Sequence, residues 1–169
     1  MIYILDAYNV IHKIPSLDAA LDKDLRTARA ALIELCGRWA LSRGEVFKII
    51  LVFDGKSEFR DLPQSSPPKV QLVFSETGED ADERIGDILE ELGEKTTKCV
   101  VSDDNFVRNQ ARAYKTQVIS VSEFNQWIHK TGKNKINPAS SSSSSKNFSL
   151  SRKAADEITQ AYKKHLGLD

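Results

Sequence analysis

The sequence predicts an α/β domain built on a mainly parallel sheet, and two observations carry that expectation. Short apolar runs alternate along the chain with amphipathic helical stretches. Most of those runs are apolar throughout, so the strands need cover on both faces, and crossover helices provide it.

Residues 2–5 read as a short buried strand. From Asp24 to Ser42 the pattern is a long helix: Leu25, Ala28, Leu32, Leu35, Cys36 and Trp39 share one face, and Gly44 ends it. Residues 47–53 form the second strand, followed by Asp54-Gly55 and a polar loop with Pro63, Pro67 and Pro68. Val70, Leu72 and Phe74 alternate in a third strand. Asp80 to Glu94 is a helix with Ile85, Ile88, Leu89 and Leu92 inward and acids outward. Lys98–Val101 is the fourth strand, Asn105–Tyr114 a helix and Gln117–Val121 the fifth strand. Ser120 with Glu123, or else Ser122, caps a last helix bearing Phe124, Trp127 and Ile128.

The expected partition is a folded domain over 1–132, a flexible linker over 133–150 and a basic amphipathic helix over 151–169. Pro138 and six consecutive serines, Ser140 to Ser145, cannot bury enough apolar surface to fold. Beyond them Ala154, Ile158, Ala161, Tyr162 and Leu166 line one side of the tail helix, which also carries Arg152, Lys153, Lys163 and Lys164.

With 169 residues, 40% apolar and 28% charged, the chain suits a soluble globular protein. No apolar run approaches the roughly 20 residues of a membrane span. The opening MIYILDAYN lacks a basic, long-apolar leader, so no membrane and a cytoplasmic location are expected. Cys36 and Cys99 read as buried thiols, because no CxxC or Cys/His spacing accompanies them. Net charge is zero but uneven: residues 76–94 hold nine acids against Arg84, and residues 108–165 hold eleven Lys/Arg against three acids. Cations that hold a phosphate backbone beside carboxylates that hold a metal would be divided in this way. Two ordinary solvated helix faces would be divided likewise.

The acids carry the chemistry. Asp6 closes the first strand, Asp54 closes the second, and Asp103 and Asp104 follow the fourth; Asp82 sits in the first turn of a helix, near its inward face. Ligands of open parallel sheets bind at the carboxyl ends of the strands. Clustered carboxylates there suit Mg²⁺ or Mn²⁺, hard ions that take oxygen ligands, and point to phosphodiester chemistry. Asn9, three residues after Asp6, can add a hydrogen bond to phosphate or to water. Each acid has an ordinary alternative: an Asx cap for Asp6-Ala-Tyr8-Asn9, a turn for Asp54-Gly55, helix-dipole preference for Asp80 to Glu83. Capping explains the adjacent pair Asp103-Asp104 less well, since two neighbouring acids repel unless geometry or a cation separates them. A second acid two residues after Asp6 would signal a haloacid-dehalogenase phosphatase, but Tyr8 stands there. Candidate contacts to a phosphate backbone are Arg108 and Arg112, one turn apart on the helix after Asp104, and Lys56 and Arg60 in the loop after Asp54. Tyr8 could stack on a base, although packing is its more ordinary use. His12, His129 and His165 are scattered, and no role is expected of them.

In order, MIYILDAYNVIH, VFDG, ADERI, VVSDDNF and VISVSEF resemble the YacP-like branch of the NYN domain family, within the PIN-like nuclease group. The resemblance covers roughly residues 1–130, with Ala7 where Gly is usual and a serine tract interrupting the tail. It implies a Rossmann-like PIN/NYN α/β/α sandwich with a central, mainly parallel sheet of about five strands. It implies a metal-dependent endoribonuclease, with Asp6, Asp82 and Asp103 as metal ligands and Asn9, Asp54 and Asp104 in support. It further implies RNA as substrate, mRNA cleaved on the ribosome as the setting, and no small-molecule cofactor. The rival readings are a non-catalytic RNA- or ribosome-binding module of the same fold, a phosphatase acting on small metabolites, and a toxin of a toxin–antitoxin pair.

Overall fold

The first apolar run becomes the central strand of the sheet. The computed structural model describes residues 1–55, 65–76 and 80–130, all within a first compact unit, Met1–Lys135. Lys56, Arg60, Pro63, the serine linker and the C-terminal helix lie outside the described residues. The elements are β1 (Ile2–Asp6), α1 (Ala7–Lys13), α2 (Pro15–Leu21), α3 (Leu25–Ser42), β2 (Lys48–Phe53), β3 (Val70–Phe74), α4 (Ala81–Leu92), β4 (Lys98–Val101), α5 (Asn105–Ala113), β5 (Gln117–Ile119) and α6 (Val121–Lys130).

The five strands are ordered β3-β2-β1-β4-β5 and every pair is parallel. Ile4 of β1 lies between Ile50 of β2 and Val100 of β4. Side chains of a strand alternate between faces. Tyr3, Leu5, Ile49, Leu51, Phe53, Cys99 and Val101 therefore enter one core with α1, α2, α3 and α6, while Ile2, Ile4, Ile50, Val52 and Val100 enter another with α4 and α5. The result is the three-layer α/β/α sandwich. From β1 the chain builds outward through β2 and β3, then returns to build β4 and β5 on the other side. The reversal puts a crevice between the carboxyl ends of β1 and β4.

Two short helices differ from the sequence expectation. Asp6 is the N-cap of α1 as well as the end of β1, its carboxylate accepting the Asn9 N–H at 3.3 Å. Ile14 is extended and breaks the helix, and Pro15, whose missing N–H costs nothing at a first helical position, starts α2. Each has seven residues, too few to show a helical period.

The long helix α3 buries Ala28, Leu32, Cys36 and Trp39, with Leu25 and Leu35 half-buried at its margins. It also buries Arg29, which donates to the Tyr8 hydroxyl, its guanidinium lying against the Tyr8 and Phe53 rings. The α6 cap is Ser120: its hydroxyl accepts the Glu123 N–H at 3.2 Å, and Glu123 accepts the Ser120 N–H at 2.8 Å. Both cysteines are buried free thiols. Burial pushes the Cys99 thiol up to about 12, with Glu123 adding to the rise, and pushes Cys36 up as well. Among the described residues no helix is long and apolar enough to cross a membrane.

Candidate active site

At the carboxyl edge of the sheet, β1, β2 and the starts of α4 and α5 surround a crevice of about 360 Å³. Asp6, Asp54, Asp80, Asp82 and Asp104 line it, with Tyr8, Asn9, His12, Lys13 and Ala81. Five carboxylates thus come to one opening from segments far apart in sequence. None of the five forms an ion pair among the described residues.

Each acid is held by its local fold. Asp6 is 8% exposed and accepts from the Asn9 N–H and, at 3.3 Å, from the Ser102 hydroxyl. The same Ser102 oxygen accepts the Asp104 N–H at 3.0 Å, which ties β1 to the turn after β4. Asp104 is the N-cap of α5, accepting the N–H groups of Phe106 at 2.7 Å and Val107 at 3.2 Å. Asp54 is exposed and accepts the Ser75 hydroxyl at 3.0 Å, while Ser75 accepts the Gly55 N–H. Gly55 has φ of +93°, a turn that a residue without Cβ adopts freely. Asp80 caps α4 through the Glu83 N–H at 3.0 Å and leaves Asp82 half-buried in the first turn.

The electrostatics follow from the crowding. Asp82 is raised from 3.8 to about 6, first by burial and then by Asp6, Asp104, Asp80 and Asp54 in turn. Burial also raises Asp6, with Asp104 and Asp54 adding to it, while the Asn9 amide and the Ser102 hydroxyl pull it back. A carboxyl whose pKa rises on folding binds its proton more tightly in the folded chain. Its contribution to stability is therefore lost as pH climbs from about 3.8 through about 6. In chelator-treated protein, the Tm of Asp82→Asn is expected to match wild type near pH 4 and to exceed it above about pH 6. A Tm difference that stays flat across that window would contradict the crowding.

A divalent cation is the group this donor set suits, being all oxygen and mutually repulsive. As the side chains stand, no three His, Cys, Asp or Glu among the described residues are close enough to hold one ion. The hydrogen bonds above explain why: Asp6, Asp54 and Asp104 are each drawn toward a donor of their own surroundings.

Of the sequence candidates, Asp6, Asn9, Asp54, Asp82 and Asp104 come together around the crevice, and Asp103 does not. Its carboxylate accepts the Val121 N–H at the start of α6 at 3.1 Å, and its own N–H donates to Asn9 Oδ1 at 3.0 Å. The extended backbone of this turn sends neighbouring side chains to opposite sides. Local hydrogen bonds therefore engage both acids: Asp104 is the N-cap of α5, and Asp103 accepts the Val121 N–H at the start of α6, whose cap is Ser120. Arg108 is half-buried, donates to the Ser102 carbonyl at 3.4 Å and lies 4.0 Å from Asp103, so it braces the turn. Arg112 is exposed in the last turn of α5, away from the crevice, and bonds Asn109. Lys56 and Arg60 lie outside the described residues.

The crevice also contains residues that sequence reasoning passed over. His12 and Lys13 lie one turn after Asn9 on α1, and recognising α1 would have placed them on the crevice wall with Asn9. His12 Nδ1 is 3.7 Å from Asp18, with both side chains largely exposed. Four of the nine acids of residues 76–94 instead form a solvated face of α4: Glu83, Asp87, Glu90 and Glu91 are exposed, and Arg84 pairs with Asp87 and Glu91.

Residues 3–166 match the family model described as the YacP-like NYN domain. Two crystal structures of Rae1 (YacP) from Bacillus subtilis resemble the chain. One, of a point mutant, is 22% identical with a TM-score of 0.66, covering 78% of this chain and 76% of that one. The other is 20% identical with a TM-score of 0.66, covering 99% of this chain and 88% of that one. No curated protein sequence matches the chain. The match of nearly the whole length to one family model, on a parallel sheet with acids at its carboxyl edge, means that the chain belongs to the YacP-like NYN domain family, of PIN-like nuclease fold.

Proposed function

We propose that the chain is a metal-dependent endoribonuclease that hydrolyses RNA phosphodiester bonds, with mRNA on the cytoplasmic ribosome as its natural substrate. The nuclease-type fold family supports the RNA-directed chemistry. The observation that carries the reading is the ring of five carboxylates, without ion-pair partners among the described residues, at the switch point of the sheet. A module that only bound RNA would gain nothing from acids facing phosphate.

Asp6, Asp82 and Asp104 would hold Mg²⁺ or Mn²⁺, with Asp54 and Asp80 at the rim. When bound, the ion lowers the pKa of an attacking water and offsets charge on the phosphate in the transition state. The chain's own residues set up the rest. Ser102 holds Asp6 and the Asp104 amide in one register, and Asn9 fixes the Asp103 amide so that the turn presents Asp104. Lys13 gives the phosphate a cationic side and His12 a ring N–H, while Lys56, Arg60 and Arg112 supply contacts to the RNA backbone. Asp103 serves through the turn and α6, so Asp103→Asn should impair cleavage less than Asp104→Asn. Asn is as good an N-cap as Asp at 104, and at 103 its amide oxygen can still accept the Val121 N–H, so both variants should fold.

The test is Mn²⁺ binding by calorimetry together with cleavage of RNA, free and on translating ribosomes, with Mg²⁺, Mn²⁺ or chelator. Cleavage that requires the divalent ion is expected. Ribosome or RNA association with neither cleavage nor Mn²⁺ uptake would instead make the chain a non-catalytic binding module.

A further inference from the structure

Among the described residues three large apolar side chains are exposed: Leu41, Phe47 and Phe106. Leu41 is in the last turn of α3 and Phe47 precedes β2, so both lie at the amino edge of the sheet. Phe106 is at the carboxyl edge. It is 59% exposed in the first turn of α5, and its N–H donates to the Asp104 carboxylate that lines the crevice.

Helical spacing places it more closely. Phe106 and Gln110 are one turn apart on the same stripe of α5. Gln110 packs over Gly86 of α4: a Cβ at Gly86 would stand 2.1 Å from Gln110 Nε2. Asp82 lies one turn before Gly86 on α4. Each of these helices connects parallel strands, so they run side by side with their first turns at the crevice. The seam that brings Gly86 to Gln110 therefore brings Asp82 and Phe106 to the same level, about 6 Å nearer the carboxyl edge.

We propose that Phe106 is a stacking platform for an unpaired nucleobase next to the bond cut in the crevice; this rests on the nuclease reading above. An aromatic face accepts any base. The Asp104 cap holds the backbone of Phe106, so the ring is presented from a fixed position. Its exposed neighbours Asn105 and Asn109 are polar, which suits one flat base bounded by sugar and phosphate better than an apolar protein surface. A base locked in a duplex cannot reach the ring, so Phe106 favours unpaired RNA at the cleavage point.

The experiment measures binding of an end-labelled single-stranded RNA to the full chain by anisotropy, with Ca²⁺ replacing Mg²⁺, and cleavage of the same RNA with Mg²⁺, free and on ribosomes. Phe106→Ala is expected to weaken binding by about 5- to 150-fold, the span for removing one stacking aromatic. It should raise KM with kcat little changed and leave Tm unaltered, while Phe106→Trp retains wild-type affinity. An abasic nucleotide scanned along the RNA should weaken wild type at one position and weaken Phe106→Ala there much less. Equal affinity of Phe106→Ala and wild type, or an abasic penalty equal in both, overturns the platform and leaves the nuclease reading standing. Wild type that neither binds nor cuts RNA, free or ribosomal, overturns both.

Discussion

Asp82→Asn is expected to lower RNA cleavage by about 10³-fold or more while the protein remains folded. The estimate follows from the several kcal/mol that a bound cation contributes to transition-state charge stabilisation, at about 1.4 kcal/mol per tenfold in rate. Asp82 is the acid most affected by its neighbours: burial and four carboxylates raise it to about 6, although its first-turn position on α4 favours negative charge. The rise comes from burial first and from the neighbouring carboxylates second. Asn keeps the shape and removes the charge, so a rate loss without a stability loss separates a ligand from a structural residue. Single-turnover cleavage and scanning calorimetry on the same preparation decide it. Activity within a few fold of wild type would remove Asp82 from the machinery, and a large drop in Tm would make its role structural.

Phe53→Ala is expected to cost about 3–5 kcal/mol of folding stability, the range for truncating a buried aromatic. Phe53 ends β2 with no exposure at all. Its ring stacks on Phe74 at 5.3 Å, meets the Tyr8 ring edge-on at 5.8 Å and lies under the Arg29 guanidinium at 5.9 Å. Aromatic pairs of this kind add about 0.5–1.5 kcal/mol beyond their buried area. With a typical domain stability of about 5–15 kcal/mol, the loss takes about a fifth or more of the whole. The damage would reach the site, because Asp54 follows Phe53 and Tyr8 lines the crevice. Phe53→Leu, which keeps more of the volume, should cost less. Urea unfolding midpoints measure both, and a loss below about 1 kcal/mol for Phe53→Ala would mean that α1 and β3 close over the cavity.

Much of this arrangement was legible in the chain. β1, β2 and β4 could be read because they are apolar on both faces, and their final acids marked the carboxyl edge where Asp6, Asp54 and Asp104 now stand. The α4 period placed Asp82 inward correctly. What was not legible has physical causes. The helices α1 and α2 are each too short for a period to emerge, and their boundary depends on Ile14 adopting an extended backbone. With α1 unread, His12 and Lys13 had no wall to stand on. Asp103 and Asp104 differ by one step of an extended backbone, and the direction of the turn after β4 decides which faces the crevice. Composition cannot show that direction. Arg29 fell on an apolar stripe of α3 as a charge, and its burial depends on Tyr8 and Phe53, which only the fold brings near.

The strand order has a consequence for how the chain acquires its structure. β1 sits in the middle of the sheet, yet its two neighbours are supplied by distant stretches of sequence. The hydrogen bond from Ser102 to Asp6 closes a loop of 96 residues. Parallel pairing admits no local hairpin, so ordering entropy is spent well before the central contacts return it. Refolding should be slow for a domain of this size. A fragment ending before β4 would retain Asp6, Asp54 and Asp82 but lack one whole flank of its central strand. Such a fragment carries exposed strand edges and no assembled crevice, so the site is complete only once β4 and β5 are in place.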